Sequence, residues 1–361
     1  MYIIIGPENK YHLAAIATGQ APRFDYRLIA DLNQGTVVEA YPSPSGLTGG
    51  KLARTLGSLQ SNLRFAYQFV RSLPAGSVIY STGETWGLPI GFVGRMLPQR
   101  HFKHIVFGHR VFSSNWLRLL RFLQPTLAVD SWLCVTRYQA RLLRSAVANE
   151  SVPVTAVAQA VDTQFWRSDL AEPIADRPTI LAVGAEMRNY PLLFAAAPYI
   201  DAEIVVLAAS TWMETKREAL TTKPENVTLI TERLTHSKLR DFYAAAELVV
   251  VPVYDTPQAA GITTIHEAMA MGKCVVATRS LGLPDSLIDN QTGVITAPKK
   301  IALANSINHL LDHPDRRQKL GQTAAQRMRH SYSLEWYATA VNQAVDSIAM
   351  DIAPILKVST K

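Results

Sequence analysis

The chain is poor in the residues that several function classes require. Of its 361 residues only Cys134 and Cys274 are cysteines, each inside an apolar, strand-like run, which leaves neither a disulfide framework nor a cysteine metal-ligand set and suits a reducing compartment. No Asp-x-Asp occurs, so the acidic metal clamp common in nucleotide-sugar chemistry is missing. Neither YIIIGPEN nor LAVGAEMR supplies the Gly-x-Gly-x-x-Gly turn of a dinucleotide-dependent oxidoreductase. No apolar stretch reads as a membrane span, and Met1 runs straight into YIIIG without a basic leader and cleavage site, so a cytoplasmic protein is expected. Acid is scarce in one region: between residues 40 and 129 the only carboxylate is Glu84, against ten lysines and arginines. Such asymmetry favours an anionic partner, whether phosphorylated substrate, anionic lipid or nucleic acid. Nucleic acid is not expected, because no recognition module or interleaved aromatic pattern accompanies the charge.

What is present indicates an α/β fold. Apolar runs of four to seven residues alternate with amphipathic stretches: YIII, VIYS (78–81), HIVFGH (104–109) and LCVT (133–136), then ILAVG (180–184), EIVVLA (203–208), NVTLI (226–230), LVVVPV (248–253) and CVVAT (274–278). Runs of this kind between helical patterns predict parallel strands buried on both faces. In LARTLGSLQSNLRFAYQFV, Leu52, Leu56, Leu59, Leu63 and Val70 share a helical face. The aperiodic DTQFWRSDLAEPIADRPT (162–179) reads as a linker. The expected layout is a first doubly wound domain at 1–161, the linker at 162–179, a second at 180–335 and a C-terminal helix at 336–361 that returns to the first. Ligands of such sheets bind beyond the strands' carboxyl ends, with the cleft between two such domains the default pocket.

One stretch concentrates the chemistry. QAAGITTIHEAMAMGK (258–273) follows the strand LVVVPV, turns at Gly261 and enters a helix predicted to start near Thr263 or Thr264. Unpaired N–H groups of a first helical turn form an anion site, best suited to phosphate, and the two threonines add hydroxyls. The same spacing, Thr264 to Glu267, also fits a capping box in which the glutamate merely bonds back to the cap backbone; spacing does not separate the two readings. In GAEMRNY the sole cation is Arg188, read either as a bidentate phosphate ligand or as a solvated loop residue. His109 ends a strand, where a lone histidine is as readily structural as functional.

These segments together resemble the GT-B glycosyltransferases, specifically the retaining family 4 group. HEAMAMGKCVVATRSLGLPDSLIDNQTGVIT is similar to that family's donor-binding segment, and VAQAVDTQFW (157–166), ILAVGAEMRNYPLLFAAA (180–197) and LRDFYAAAELVVVPV (239–253) follow its other motifs in order. The resemblance covers most of residues 157–297, and implies two Rossmann-like domains with a nucleotide diphosphate sugar as donor and a hydroxyl acceptor. It makes Glu267 the second glutamate of a Glu-x7-Glu motif, facing the nucleotide ribose. Ala259 stands where the first should be, with Gln258 or Asp255 as partial substitutes. Arg188 remains of a diphosphate-binding pair whose other position is Ala185. His109 becomes the residue facing the donor sugar. The donor site then comprises Gly184, Arg188, Arg233 in the loop TERLTH (231–236), Gln258, Gly261, Ile262, Thr263, Thr264 and Glu267. No metal and no cofactor beyond the donor are expected. Ala259 also suggests a non-catalytic nucleotide-sugar-binding partner protein, and a nucleotide-sugar 2-epimerase shares the two-domain shape but needs acid/base carboxylates not found here.

The acceptor is expected on the basic first domain. There FSSNWLRLLRFLQP (112–125) places Trp116, Leu119, Leu120 and Leu123 on one helical face beside arginines, with Ser114 as cap. This reads either as a core-facing helix or as one lying on an anionic membrane surface.

Overall fold

The computed structural model of the chain describes residues 1–8, 10–40, 51–97, 101–110, 112–147, 149–171, 174, 179–208 and 223–349. Two compact units result: Met1–Lys10, Phe24–Val157 and Tyr337–Lys361 form the first, Tyr11–Arg23 and Ala158–Trp336 the second. Residues 172, 173 and 175–178 of the expected linker, and 350–361 of the expected C-terminal helix, lie outside the described residues, as do the side chains of Leu52 and Leu56.

Each unit is built on a parallel sheet of six strands among the described residues. The first sheet contains β1 (Tyr2–Ile5), β2 (Thr36–Glu39), β3 (Ser77–Ser81), β4 (Phe102–Gly108), β5 (Ser131–Cys134) and β6 (Val154–Ala156), ordered β2-β1-β3-β4-β5-β6. The second contains β7 (Thr179–Val183), β8 (Glu203–Leu207), β9 (Val227–Ile230), β10 (Leu248–Val251), β11 (Cys274–Thr278) and β12 (Val294–Thr296), ordered β12-β11-β10-β7-β8-β9. All nine apolar runs picked out above become strands. The α/β, GT-B-like expectation holds in both units. β2, β6 and β12, which no run announced, are edge strands.

Central strands are covered on both faces. In β10 every residue of LVVV is buried: Val249 and Val251 pack with Ile265 and Met269 of the Ile262–Ala270 helix, while Leu248 and Val250 meet Leu303 and Ile307 of the Lys300–Asp312 helix. In the first unit the helices Lys51–Ser72, Glu84–Met96, Ser114–Leu123 and Arg137–Ala146 line one face, on Ile4, Ile79, Val106, Trp132 and Cys134. On the other, Tyr80 and Phe107 meet Tyr337 of the last described helix, Leu334–Ala349; the two tyrosine hydroxyls are 2.9 Å apart.

The polar run after Val161 is drawn into the second unit. Phe165 and Trp166 are core residues, and Asp162, 4% exposed, accepts four hydrogen bonds, from the Arg23 amide (2.8 Å), Arg23 Nε (3.1 Å), Arg23 Nη2 (2.8 Å) and the Gln164 amide (3.1 Å). A buried carboxylate is tolerable only when its lone pairs are so occupied. Arg23 thereby fixes the Tyr11–Arg23 segment to this unit.

Ser113, rather than the expected Ser114, caps the Ser114–Leu123 helix, its hydroxyl accepting from the Trp116 amide at 3.4 Å. Leu120 is buried and Leu123 half-buried, but Trp116 and Leu119 are exposed, so the expected single apolar face is divided between core and solvent.

Close helix packing near Gly272 leaves no room for a methyl group at Gly321, where an added Cβ would lie 2.1 Å from the Gly272 carbonyl oxygen. Gly321→Ala should therefore cost about 2 kcal/mol, read as a lower denaturant midpoint for the second unit, whereas Gly19→Ser, at an open turn, should leave the core's stability nearly unchanged apart from the strain of a positive φ.

Candidate functional site

Two glycine turns at adjacent strand ends create the site. β7 is followed by Gly184, with φ +95, and β10 leads through residues 252–260 to Gly261, with φ +81. β7 and β10 are neighbours, and their following loops stay paired: the Asn189 amide donates to Pro252 O at 2.8 Å, the Tyr254 amide to Met187 O at 3.1 Å, and Arg188 bridges antiparallel to Val253. This pairing carries the Arg188 side chain back between the two turns. A Cβ at Gly184 would lie 2.7 Å from Arg188 Nη2, and one at Gly261 3.5 Å from Nη1 and 2.7 Å from Val251 Cγ1. Both positions need glycine for space and for a left-handed backbone.

The guanidinium is held by fixed acceptors. Nε donates to Val183 O at 3.0 Å, Nη1 to Glu186 O at 2.9 Å, and Nη2 to Thr264 Oγ1 at 3.0 Å. Three of its five N–H groups are so engaged, which makes it a fixture rather than the solvated loop residue of the alternative reading. Burial pushes its pKa down, opposed by Tyr190, Tyr243, Glu186 and Glu267. Thr264 in turn donates to Val183 O at 3.3 Å.

The helix after Gly261 begins at Ile262, one or two residues earlier than expected, and no side chain caps it. The Ile262 amide turns back to Ala259 O at 3.3 Å and the Ile265 amide bonds Gly261 O at 2.9 Å, while the amides of Thr263 and Thr264 belong to the first turn, which has no earlier helical carbonyl to serve it. The capping box does not form. Glu267 lies within the helix, and its Oε2 accepts from Tyr243 Oη at 2.9 Å instead. Glu267 is 9% exposed. Desolvation lifts its carboxyl pKa to about 7, against the lowering effects of the Tyr243 hydrogen bond and the Arg188 charge. Tyr243, fully buried with its ring edge-on to Trp166, is pushed well above the usual phenol range, by burial first and the Glu267 charge second.

Of the residues expected at the donor site, Gly184, Arg188, Gly261, Thr264 and Glu267 form one cluster. Ile262 is buried beneath it, and Thr263 is exposed, its hydroxyl accepting from Gln159 Nε2 at 3.3 Å. Gln258 takes the Thr256 hydroxyl on its side-chain oxygen, and Asp255 caps the Leu281 amide at 2.9 Å, so both offered substitutes for the missing glutamate already have local partners. Arg233 is exposed in the loop after β9, close enough to His236 to help burial and His12 hold that imidazole near pKa 4, and makes no hydrogen bond to the cluster among the described residues.

His109 belongs to the first unit, one residue beyond β4, stacked on Phe107 at 4.6 Å. Its Nε2 lies 3.0 Å from Thr82 O and, because a carbonyl only accepts, Nε2 is the donor. Glu84, the lone acid of the basic region, takes the amides of His109 and Arg110, both at 2.9 Å, and fixes this turn.

Tyr243 and Tyr190, whose hydroxyl donates to Gly184 O, were not singled out from the sequence as site residues. Tyr243 lies in LRDFYAAAELVVVPV at the position of the family motif's tyrosine; its role emerges only when the helix places it under Glu267. Among the described residues no group of three or more His, Cys, Asp or Glu could hold a metal ion.

The native carboxyl of Glu267 keeps its proton up to about pH 7, whereas an unperturbed glutamate loses it near 4.5. Between these values the folded chain binds more protons than the unfolded one, so this group's contribution to stability falls as pH rises through the window and levels off above it. Glu267→Gln should flatten that slope, gaining on the parent by about 2–3 kcal/mol between about pH 4 and pH 8 in urea titrations. Tyr243→Phe removes a hydrogen bond that lowers the pKa, and should move the upper edge of the window to higher pH; an unchanged slope in Glu267→Gln, or an unmoved upper edge in Tyr243→Phe, contradicts the assignment.

Comparison with known proteins adds to this geometry. Residues 174–327 match the family described as Glycosyl transferases group 1. The chain is 34% identical over 117 residues to a D-inositol 3-phosphate glycosyltransferase of Corynebacterium diphtheriae, 32% of this chain and 26% of that one. It thus spans about a quarter of that relative's length. It is 26% identical over 338 residues to an alpha-maltose-1-phosphate synthase of Mycolicibacterium smegmatis, covering 81% of this chain and 83% of the relative. Among solved structures, a sucrose-phosphate synthase from Thermosynechococcus elongatus superposes with a TM-score of 0.72 at 18% identity, over 96% of this chain and 99% of that one. Anabaena HepE in complex with UDP-glucose gives 0.67 at 14% identity, over 96% and 100%. At these identities the structures establish the fold.

Proposed function

We propose, on the match of residues 174–327 to the glycosyl transferases group 1 family, that the chain transfers a sugar from a nucleoside diphosphate sugar to an acceptor hydroxyl, with retention of configuration and without a metal ion. The observation that carries this reading is the uncapped start of the Ile262–Ala270 helix with the Arg188 guanidinium fixed against its first turn through Thr264. Two N–H-rich groups, one charged, converge where a diphosphate's charge would have to be met. Helix amides and a rigid arginine stabilise charge that develops during reaction without reorganising. That pair takes over the task a divalent cation performs elsewhere.

In the proposed reaction the bond from the anomeric carbon to the β-phosphate oxygen breaks, and its electrons remain on the phosphate. The acceptor oxygen attacks from the same face, and its proton passes to that phosphate oxygen. Glu267, held by Tyr243, takes the ribose hydroxyls, for which a carboxylate or a half-protonated carboxyl is a suitable partner. Ala259 leaves the sugar hydroxyls without the family's first glutamate. That HepE is seen with UDP-glucose favours a uridine diphosphate sugar among the donors to test.

A thermal-shift panel of UDP-, GDP-, ADP- and dTDP-sugars should show stabilisation by one class of donor. Arg188→Ala should lower kcat by about 10²–10³-fold with a smaller effect on the melting temperature, and excess chelator should leave turnover unchanged. Donor binding without transfer or hydrolysis would instead identify a non-catalytic nucleotide-sugar-binding protein.

A further inference from the structure

The four helices on one face of the first unit's sheet have an outer surface of unusual composition. On the described side chains the exposed charges are Arg64 and Arg71 of the first helix, Arg95 of the second, Arg118 and Arg121 of the third, and Arg137, Arg141 and Arg144 of the fourth. The only acid on these helices is Glu84, whose two oxygens are taken by the His109 and Arg110 amides.

Large apolar side chains stand among these arginines. On the Ser114–Leu123 helix, Leu120 anchors the core while Trp116, Leu119 and Phe122 face outward, Phe122 at 79% exposure. The preceding helix, Glu84–Met96, packs on the turn Gln124–Thr126 that follows, with Gly91 against Leu127 and Val129, and it exposes Phe92 and Met96, the latter at 66%. Five of the chain's large exposed apolar residues thus lie on two successive helices of one layer. Neither helix is long and apolar enough to cross a membrane.

We propose that this surface docks on an anionic lipid bilayer, the Ser114–Leu123 helix lying in the headgroup plane. The indole of Trp116 and the ring of Phe122 enter the acyl boundary, while Arg118 and Arg121 reach the phosphates. The charge specifies an anionic partner and the protruding rings specify one with an apolar interior. Nucleic acid satisfies only the first demand, and an apolar protein groove leaves the arginines unmatched. The proposal is independent of sugar transfer, since it needs neither donor nor turnover.

Co-sedimentation with vesicles tests it. The full chain should pellet with phosphatidylcholine vesicles containing phosphatidylglycerol and stay in the supernatant with phosphatidylcholine alone. Phe122→Ser, at the most exposed apolar position of the helix, should weaken partitioning about tenfold, as should Arg118→Glu with Arg121→Glu, whereas Ile301→Ser, an exposed apolar site of the second unit, should change nothing. Thermal melts of the variants report whether they remain folded. Failure to pellet with anionic vesicles overturns the proposal. So does pelleting that Phe122→Ser leaves intact, or that duplex DNA competes away with no effect of that variant, which would indicate a purely electrostatic nucleic-acid surface.

Discussion

A guanidinium anchored by its own neighbours organises the second unit's chemistry. Arg188 is gripped by two backbone carbonyls and one hydroxyl, and everything around it must make room. Two glycines clear the space, Met187 adopts φ +56 so that the loop can turn the side chain inward, and the paired loops after β7 and β10 hold the turn in register. A positive charge placed in this way keeps its position whether or not an anion is present. The desolvation that depresses its pKa is also what strengthens its field at short range. Glu267 is the counterpart: it is buried far enough to be held near neutrality, and Tyr243 gives its carboxyl one defined orientation.

Much of this architecture was legible in the sequence, for a physical reason. Central parallel strands are buried on both faces and must be continuously apolar, so LVVV and CVVAT announce themselves. Edge strands carry no such demand: TVVE, VTA and VIT are short and partly exposed, and their runs do not stand out from loops. The Gly261 turn and the position of Arg188 were legible because strand, turn and helix leave a local imprint. Long-range contacts left none. Nothing near Glu267 foretells that its partner is Tyr243, 24 residues upstream, and the capping-box spacing pointed to a different bond. The cap of the Ser114–Leu123 helix moved by one residue because neighbouring serines are equivalent in sequence, and only backbone geometry selects Ser113.

The basic region shows composition and geometry answering different questions. Charge counting located the imbalance but could not say whether Trp116 and Leu119 point inward. Packing resolves it: Leu120 alone on that helix is wholly buried, because the Arg137–Ala146 helix and β5 fill the space beside it, with Leu117 and Leu123 partly covered and Trp116, Leu119 and Phe122 left outside.

Asp162 has a consequence for how the polypeptide is divided. Its four donors include three from Arg23, so the piece Tyr11–Arg23 is a structural part of a unit whose remaining residues start at Ala158. The chain therefore passes from one unit to the other four times, at residues 10/11, 23/24, 157/158 and 336/337. No single cut releases an intact half: a fragment starting at Ala158 would leave Asp162 without three of its four donors, and one ending at Val157 would carry an orphaned arginine strap.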